Sequence, residues 1–582
     1  MNLTWLDGLT IGLYLFFNLG IGFYYRRQAN RGIEEFFISG RSSPWWLAGT
    51  SMAATTFASD TPLAITGMVA TGGIAGNWLW WSFVFSGMLT VFVYSRLWRR
   101  ANVVTDVEFS EIRYSGRPAA FLRGFRALYL AIPINCIVMG WVSLAMVKVL
   151  MLILDVDKIT AILAVLFLTA ITCAISGLAG LRGVLITDLT QFALMGSLSI
   201  ALANFAVVGV GGLGALTESV IEVRGEAILA FFPDFDSPWM PMLTFFVYMA
   251  VNWWATWYPG AEPGGGGFIA QRMFSTRDER HSLLATLWFN IVHYALRPWP
   301  WIIVSLVSLV AYPDLADPES GYVLVMINYL PTSARGLMIA GFAAAFMSTI
   351  STLLNWGASY LSSDIYQRFI NPAASERELV TTSRIATVLL AGIAAVVTFY
   401  MESIGGAWKL LLATGAGTGG VLILRWFWWR INAWSEVAAM ATAFVVSIAL
   451  QWQMGYDTDD PNDFAIVMLW TVSVTTIVWV TVTLLTGPEP YDKLLQFYKR
   501  VRPYPLLWGP IPAAAGDKDL RRSPMRDVAY WFTGCGLIYG ALFGIGKLLF
   551  GELAISVAWF ILCAICSWII YSGLRSTRFS SR

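Results

Sequence analysis

Apolar runs of about 20 residues recur from one end of this chain to the other, and each is long enough to cross a hydrocarbon core of roughly 30 Å. In lipid every backbone N–H and C=O must be satisfied within the protein, which leaves helices and closed barrels as spanning structures. The runs are far too long for barrel strands, so the expected fold class is an all-α integral membrane protein. Composition agrees: 57% of the 582 residues are hydrophobic and only 13% are charged, against about 25% charged in a typical soluble protein.

On that length criterion about 15 spans are expected, near 5–25, 44–74, 77–97, 120–152, 159–178, 183–210, 240–272, 283–311, 333–364, 382–401, 408–429, 433–453, 464–486, 527–549 and 552–574. Basic residues set the orientation. With the N-terminus outside, "YYRR" (24–27), "RLWRR" (96–100), "RYSGRPAAFLRGFR" (113–126), "QRMFSTRDER" (271–280), "IYQRF" (365–369), "RWFWWR" (425–430), "LLQFYKRVRP" (494–503) and "RSTRFSSR" (575–582) all fall inside. That alternation predicts an odd number of spans, N-out and C-in, in a cell membrane. The first run lacks a basic n-region and a small-residue cleavage site, so it reads as a retained span. Residues 211–239 form an expected outside loop with a surface helix in "LTESVIEVRGEAILAFF", and 487–525 a proline- and charge-rich inside stretch.

Several function classes fall away. A net charge of +2 gives no bulk basicity for nucleic acid, and the two histidines, His281 and His293, are a poor inventory for a zinc enzyme. "CAIC" at 563–566 has metal-like spacing but no His or acid nearby, so it reads as helix packing. No G-x-x-x-x-G-K-[ST] is present to suggest that ATP drives the protein. An enzyme is not expected.

Polar groups inside spans are costly and therefore candidates for function. "GTSMAATTFASDTPLAITG" (49–67) places Thr55, Thr56, Ser59, Asp60 and Thr61 mid-span, followed by Pro62. Proline removes a donor and crowds the preceding turn, so nearby carbonyls can lose their helical partners and become free for a cation; a packed kink is the alternative. In "AGFAAAFMSTISTLLNWGASYLSSDIY" (340–366), Ala345, Ser348, Thr349 and Thr352 recur at i, i+3, i+4, i+7 and share one face. A hydroxyl stripe suits a hard monovalent cation or, equally, small-residue packing. Asp188, beside Gln191, lies within an apolar run, either on an ion path or paired with Arg182. His293 and Arg297 sit one turn apart in "FNIVHYALRPWPW" (289–301), as substrate contacts or with a carboxylate such as Glu262 or Asp60 as partner.

From Met240 to Arg272 an unbroken helix would be about 50 Å long, well beyond the bilayer core. "YPGAEPGGGG" falls within it. Either the span ends at Tyr258, with Glu262 paired to Arg272 or Arg277, or the helix is unwound at a midplane site, as in transporters. Aromatic residues cluster nearby, at "GNWLWW" (76–81), Trp253, Trp254 and Trp257, and beside carboxylates they suit sugars or ammonium groups.

Taken in order, "EEFFISGRSSPWWLAGTSMAATTFAS" (34–59), "TDVEFSEIRY" (105–114), "ISGLAGLRGVLITDLTQ" (175–191), "QRMFSTRDER" (271–280), "AAAFMSTISTLLNWGASYLSSDIY" (343–366) and "LRWFWWRINAWSEVA" (424–438) resemble stretches of the sodium/solute symporter family, which includes the sodium/glucose transporters. The resemblance, which covers about residues 34–440, implies a leucine-transporter-type fold of two inverted five-helix repeats, at 44–210 and 240–430, each opening with a discontinuous helix; the apolar runs in 433–582 are additional C-terminal spans. It implies a sodium site made by the carbonyls of Ala54, Phe57 and Ala345 and the hydroxyls of Ser348 and Thr349. Asp188 matches the aspartate on the sodium path, with Thr352 a neighbour for a second ion.

Over the solute site this chain departs from the sugar members: Trp80 stands near a family glutamate and His293 at a family lysine. Asp60, Thr61, Asn77, Trp80, Asn252, Trp254, Glu262, His293 and Arg297 are the expected substrate residues. The expectation is secondary active transport: sodium moves inward with a small polar solute, best a sugar or sugar derivative. A cationic amine or carboxylate solute, proton coupling, and a sensor built on the same fold are the alternatives.

Overall fold

In a computed structural model the chain is helical from end to end; residues 5–29, 33–236, 239–256, 264, 266–520 and 523–576 are described. Among them the one extended contact is an isolated bridge between Ser43 and Thr276. Every one of the fifteen apolar stretches contains helix. Among the described residues ten helices are long and apolar enough to cross a membrane alone, or eleven if one bent pair counts as a single span.

The helices used below are α1 (Trp5–Ala29), α2 (Trp45–Thr55), α3 (Asp60–Gly72), α4 (Ile74–Ala101), α5 (Gly116–Leu154), α6 (Lys158–Gly209), α7 (Leu213–Arg224) and α8 (Met242–Ala255). They continue with α9 (Gly267–Ser275), α10 (Glu279–Ala311), α11 (Ala334–Ile370), α12 (Glu376–Tyr400), α13 (Ile404–Gly415), α14 (Thr418–Leu424), α15 (Ala433–Gln453), α16 (Pro461–Leu485), α17 (Tyr491–Val501), α18 (Met525–Leu549) and α19 (Leu553–Ser576). The expected outside helix is α7.

The stretch 44–74 is broken where the proline argument places the break. Helix α2 ends at Thr55 and α3 restarts at Asp60, so Pro62 lies in a first turn, where its missing N–H costs nothing. The stretch 240–272 is also two helices, α8 and α9. Residues 257–263 and 265, including Trp257, Tyr258 and Glu262, lie outside the described residues. The α9 N-terminus is fixed from another part of the chain: the Asp106 carboxylate accepts the Gly267 N–H at 3.1 Å and the Tyr360 hydroxyl.

A third interruption was not anticipated. Helices α13 and α14 meet at a 59° bend within 408–429. Gly417 supplies the left-handed turn, at φ +87°, and its N–H donates to the Ala255 carbonyl at the end of α8, 2.7 Å away. The bend therefore packs on the second broken helix.

The two spans expected at 159–178 and 183–210 are one helical run of 52 residues. Both of its halves reach α11: Thr169 lines a cavity with Ile350, and Asp188 accepts a hydrogen bond from Ser348. The α18–α19 hairpin packs on the outside of the core: Tyr539 donates to the Trp81 carbonyl at 2.9 Å, Trp531 to Phe85 at 2.7 Å and Trp299 to Leu542 at 2.9 Å.

Candidate transport site at the broken helices

Between α2 and α3 the backbone carbonyls are released from the helical ladder, and side chains from three other helices reach them. Thr349 of α11 donates to the Thr55 carbonyl at 3.1 Å. Gln191 of α6 reaches the Phe57 carbonyl at 3.4 Å. Arg297 of α10 donates to the Ala53 carbonyl at 2.5 Å and to the Thr56 carbonyl at 2.9 Å.

Asp188 is the hub beside this break. It is fully buried and accepts from Ser51 of α2 at 2.5 Å and from Ser348 of α11. Its cation is Arg272 of α9, 3.8 Å away, not Arg182, which reaches Ser42 instead. The Arg272 guanidinium also donates to Thr352 at 3.0 Å and to Thr55 Oγ1 at 3.3 Å. Arg272, in a basic cluster expected on the inside edge of the membrane, is 0% exposed and belongs to the core. The Thr352 hydroxyl, expected near a second ion, faces this guanidinium.

The oxygen set suits sodium. Ser348 and Thr349 keep lone pairs free while donating to Asp188 and Thr55, and the Ala54 and Phe57 carbonyls lie at the break, the first accepting the Phe57 N–H at 2.9 Å and the second the Gln191 amide. Ala345 stands one turn before Ser348 and Thr349 on the same helix face. Hard monovalent cations prefer such neutral oxygens plus a nearby carboxylate.

Next to the break lies a cavity with an empty volume, open solvent included, of about 860 Å³. Asp60, Thr61, Trp80 and His293, four of the candidate substrate residues, line it. Asp60 Oδ1 is buried without a hydrogen-bond partner among the described residues. The walls are aromatic: Trp80 stacks on Tyr294 with centroids 5.6 Å apart, and Trp141 of α5 and Trp408 of α13, edge to face at 6.4 Å, also line the space. Trp141, Tyr294, Phe268 and Trp408 were not singled out from sequence, because an aromatic in an apolar run is indistinguishable there from packing.

The remaining expected substrate residues serve other ends. Asn77 accepts from the Trp80 indole at 2.9 Å and so orients that wall residue. Asn252 is buried and binds Ser82 and the Leu79 carbonyl. Trp254 donates to the Ala250 carbonyl at 2.6 Å and packs over the α13–α14 bend. Arg297 is not among the residues lining the cavity; its guanidinium is held by the carbonyls of the break, by Thr56 Oγ1 at 3.1 Å and by His293. Glu262 lies outside the described residues. The thiols of Cys563 and Cys566 are free, and no metal-holding cluster of His, Cys, Asp or Glu occurs among the described residues.

Broken helices meeting at a cavity, with hydroxyls and freed carbonyls beside it, are the architecture of a helical membrane transporter. The profile of the sodium:solute symporter family matches residues 36–443, well over half of the chain, and the protein belongs to that family. Sodium is its coupling ion. Sodium/glucose cotransporter 1 of Oryctolagus cuniculus is 24% identical over 587 residues, covering 89% of this chain and 84% of the relative. The sodium/glucose cotransporter of Vibrio parahaemolyticus is 22% identical and covers 78% and 86%. A sodium-coupled sialic acid symporter in a substrate-bound outward-open state superposes with a TM-score of 0.66 at 17% identity, covering 83% of this chain and 99% of that one. This chain therefore has that symporter's fold.

Proposed function

We propose that the chain imports a neutral, polyhydroxylated solute, a sugar or sugar derivative, together with sodium. The observation that carries the reading is the Asp60 carboxylate: buried, lining an aromatic-walled cavity, with one oxygen unpartnered. An orphaned buried acceptor costs about 1–3 kcal/mol, which a solute hydroxyl recovers. Thr61 and His293 supply further hydrogen-bonding groups, and the flat faces of Trp80, Trp141 and Trp408 suit the C–H faces of a ring. Glucose- and mannose-transporting relatives point the same way.

A carboxylate solute fits less well, because Arg297 is committed to backbone carbonyls. A cationic amine fits less well, because Arg297 already offsets the charge of Asp60.

Sodium, on this reading, binds the carbonyls of Ala54, Phe57 and Ala345 and the hydroxyls of Ser348 and Thr349, with Asp188 supplying negative charge. Binding there bridges α2 and α11. It favours whichever conformation holds the two together, and only through its differential affinity for the two states. The membrane arrangement that accompanies this is N-out and C-in, with inverted repeats at 44–210 and 240–430.

The test is thermal stability of the purified protein in sodium against potassium. Specific binding to the folded state raises stability by mass action. Sodium stabilises the wild type and not Ser348→Ala/Thr349→Ala; a panel of hexoses, polyols, quaternary amines and carboxylates in sodium then gives a further rise only with hexoses or polyols. Equal stabilisation by both cations sinks the sodium site, and a rise with amines or carboxylates alone sinks the solute class.

A further inference from the structure

At one end of the cavity a single carboxylate touches three of its walls. The connection between α10 and α11 carries two short helices, Pro318–Ser320 and Gly321–Tyr329. Asp317 caps the first, accepting the Glu319 N–H at 3.3 Å and the Ser320 hydroxyl at 2.8 Å. The capped turn aims the Glu319 side chain onto other helices. Its Oε2 accepts from Lys148 Nζ of α5 at 2.6 Å, and its Oε1 from the Gly405 N–H in the first turn of α13 at 3.1 Å. The Ile404 N–H lies 3.4 Å from Oε2. The Glu319 methylenes lie against α3, where a Cβ at Gly67 would meet Glu319 Cγ at 3.1 Å. Asp317 gives Lys148 a second oxygen at 2.8 Å.

The same three helices wall the cavity. Ile65 of α3, Val142 of α5 and Trp408 of α13 line it. Gly67 is two residues beyond Ile65, Lys148 is six beyond Val142, about 9 Å along the helix, and Gly405 is three before Trp408, about 4.5 Å. All three offsets lead to Glu319, so the carboxylate stands over this end of the cavity. Solvent access falls inward past it: the side chains of Asp317 and Glu319 are 43% and 10% exposed, and Val142 is 1% exposed.

The contacts also join two groups of helices. Helix α10 is fastened to α2 and α3, by Arg297 on the Ala53 carbonyl and by Ser305 against Thr66 at 2.9 Å. The connection carrying Glu319 follows directly from α10. Helices α5 and α13 belong to the other group. For a solute to pass at this end, the groups must part, and parting breaks the Lys148–Glu319 pair and frees the α13 N–H groups. Charge-assisted bonds of this kind are roughly twice as strong as neutral ones.

We propose that Glu319 is the latch of this end of the cavity: its carboxylate holds α5 and the α13 N-terminus to α3 and the α10–α11 connection, and its release opens the path to the cavity. The inference rests on the reading of the cavity as the transport site. Closing segments of this kind commit a bound molecule and shield it from water.

The experiment uses the full-length protein in nanodiscs, carrying Val142→Cys with and without Glu319→Gln. A cationic methanethiosulfonate is added, and modification of each cysteine is followed by mass spectrometry. Glu319→Gln keeps an acceptor for the Gly405 N–H and removes the ion pair, while Lys148 retains Asp317. The thiol of Val142→Cys is expected to react at least fivefold faster in the Glu319→Gln background. Cys136, a native thiol of α5 that is 1% exposed, stays unmodified in both. Loss of a negative charge slows a cationic reagent, so a faster reaction reports opening. An unchanged rate at Val142→Cys overturns the proposal. So does modification of Cys136 in step with it, the mark of a loosened fold. If Glu319→Gln melts low, Glu319→Asp, which keeps the charge and shortens the reach, replaces it with the same required outcomes. Labelling needs neither sodium nor solute. A failed latch therefore leaves stabilisation by sodium and solute intact, whereas a failed transport reading removes that stabilisation and leaves the labelling result unchanged.

Discussion

Arg297 holds the carbonyl oxygen of Ala53 at 2.5 Å, joining the middle of α10 to the end of α2 across 244 residues of chain. The same guanidinium takes the Thr56 carbonyl at 2.9 Å, on the far side of the last helical turn. Two of the carbonyls released by the helix break are thus fixed by one planar cation, and the peptides between and after them, at Ala54 and Phe57, are the proposed sodium ligands. Lysine cannot reproduce that fork.

Arg297→Lys is therefore expected to keep the fold and weaken sodium dependence. The apparent sodium affinity falls roughly tenfold while solute affinity at saturating sodium changes little. Arg297→Ala removes the charged donor from two carbonyls that keep only hydroxyl partners, Thr56 Oγ1 on Ala53 and Thr61 Oγ1 on Thr56, and lowers the melting temperature, since a hydrogen bond to a charged group contributes about 1.5–3 kcal/mol. Sodium titrations of uptake in proteoliposomes, at low and saturating solute, separate the two cases. Equal loss of sodium and solute affinity in the lysine variant would contradict this positioning role.

Asp60→Asn tests the solute side alone. The amide keeps the shape and one acceptor but adds a donor where the solute is proposed to donate. Sodium should still stabilise this variant, because Asp60 touches none of the proposed sodium ligands. The additional rise produced by solute should be lost, a fall of at least tenfold in affinity, or about 1.4 kcal/mol. A variant that loses the sodium effect and keeps the solute effect would reverse the assignment of the two sites.

Much of this site is legible in the residues themselves, because a polar side chain in a membrane span stands out by its cost. Asp60, Thr61, Asp188, Ser348 and Thr349 are visible in that way, and Pro62 marks the break beside them. What is not legible is the backbone. The partners of Arg297 were sought among carboxylates, Glu262 and Asp60, because a freed carbonyl has no letter in the sequence. Arg272 was placed at the inside edge of the membrane because "QRMFSTRDER" is as polar as a loop; its burial follows from α9 running into the core beside Asp188, a contact 84 residues distant in sequence. The α13–α14 bend escaped notice because Ala416 and Gly417 are as frequent in a packed span as in a turn.

Asp188 and Arg272 form a buried pair whose members can be removed separately or together. Asp188→Asn strands a guanidinium that is 0% exposed, and breaking such a pair costs about 3–5 kcal/mol. Arg272→Gln leaves the carboxylate with Ser51 and Ser348 and is expected to cost less. The double variant should recover most of the stability lost by Asp188→Asn, giving a coupling energy of about 1–3 kcal/mol, yet it should not recover sodium-dependent uptake. Chemical denaturation of the four proteins measures the cycle. Strict additivity would mean that the 3.8 Å contact carries no energy.

The contact between the bend and the second broken helix is testable by adding single methyl groups to adjacent glycines. A Cβ at Gly419 would stand 1.8 Å from the Trp254 carbonyl oxygen, which is backbone and cannot swing aside. A Cβ at Gly420 would meet only the side chains of Trp254 and Trp479, both at 3.6 Å, an ordinary contact. Gly420→Ala should therefore be neutral or slightly stabilising, since alanine favours a helix over glycine by about 1 kcal/mol. Gly419→Ala must push α14 away from α8, at a cost of about 1–3 kcal/mol or more. Uptake should fall with it, because α8 is half of the broken span beside the cavity. The pair shares position, helix and chemistry, so a difference between them in melting temperature and uptake reports the packing of the bend on α8. If both variants behave alike, the two elements move independently.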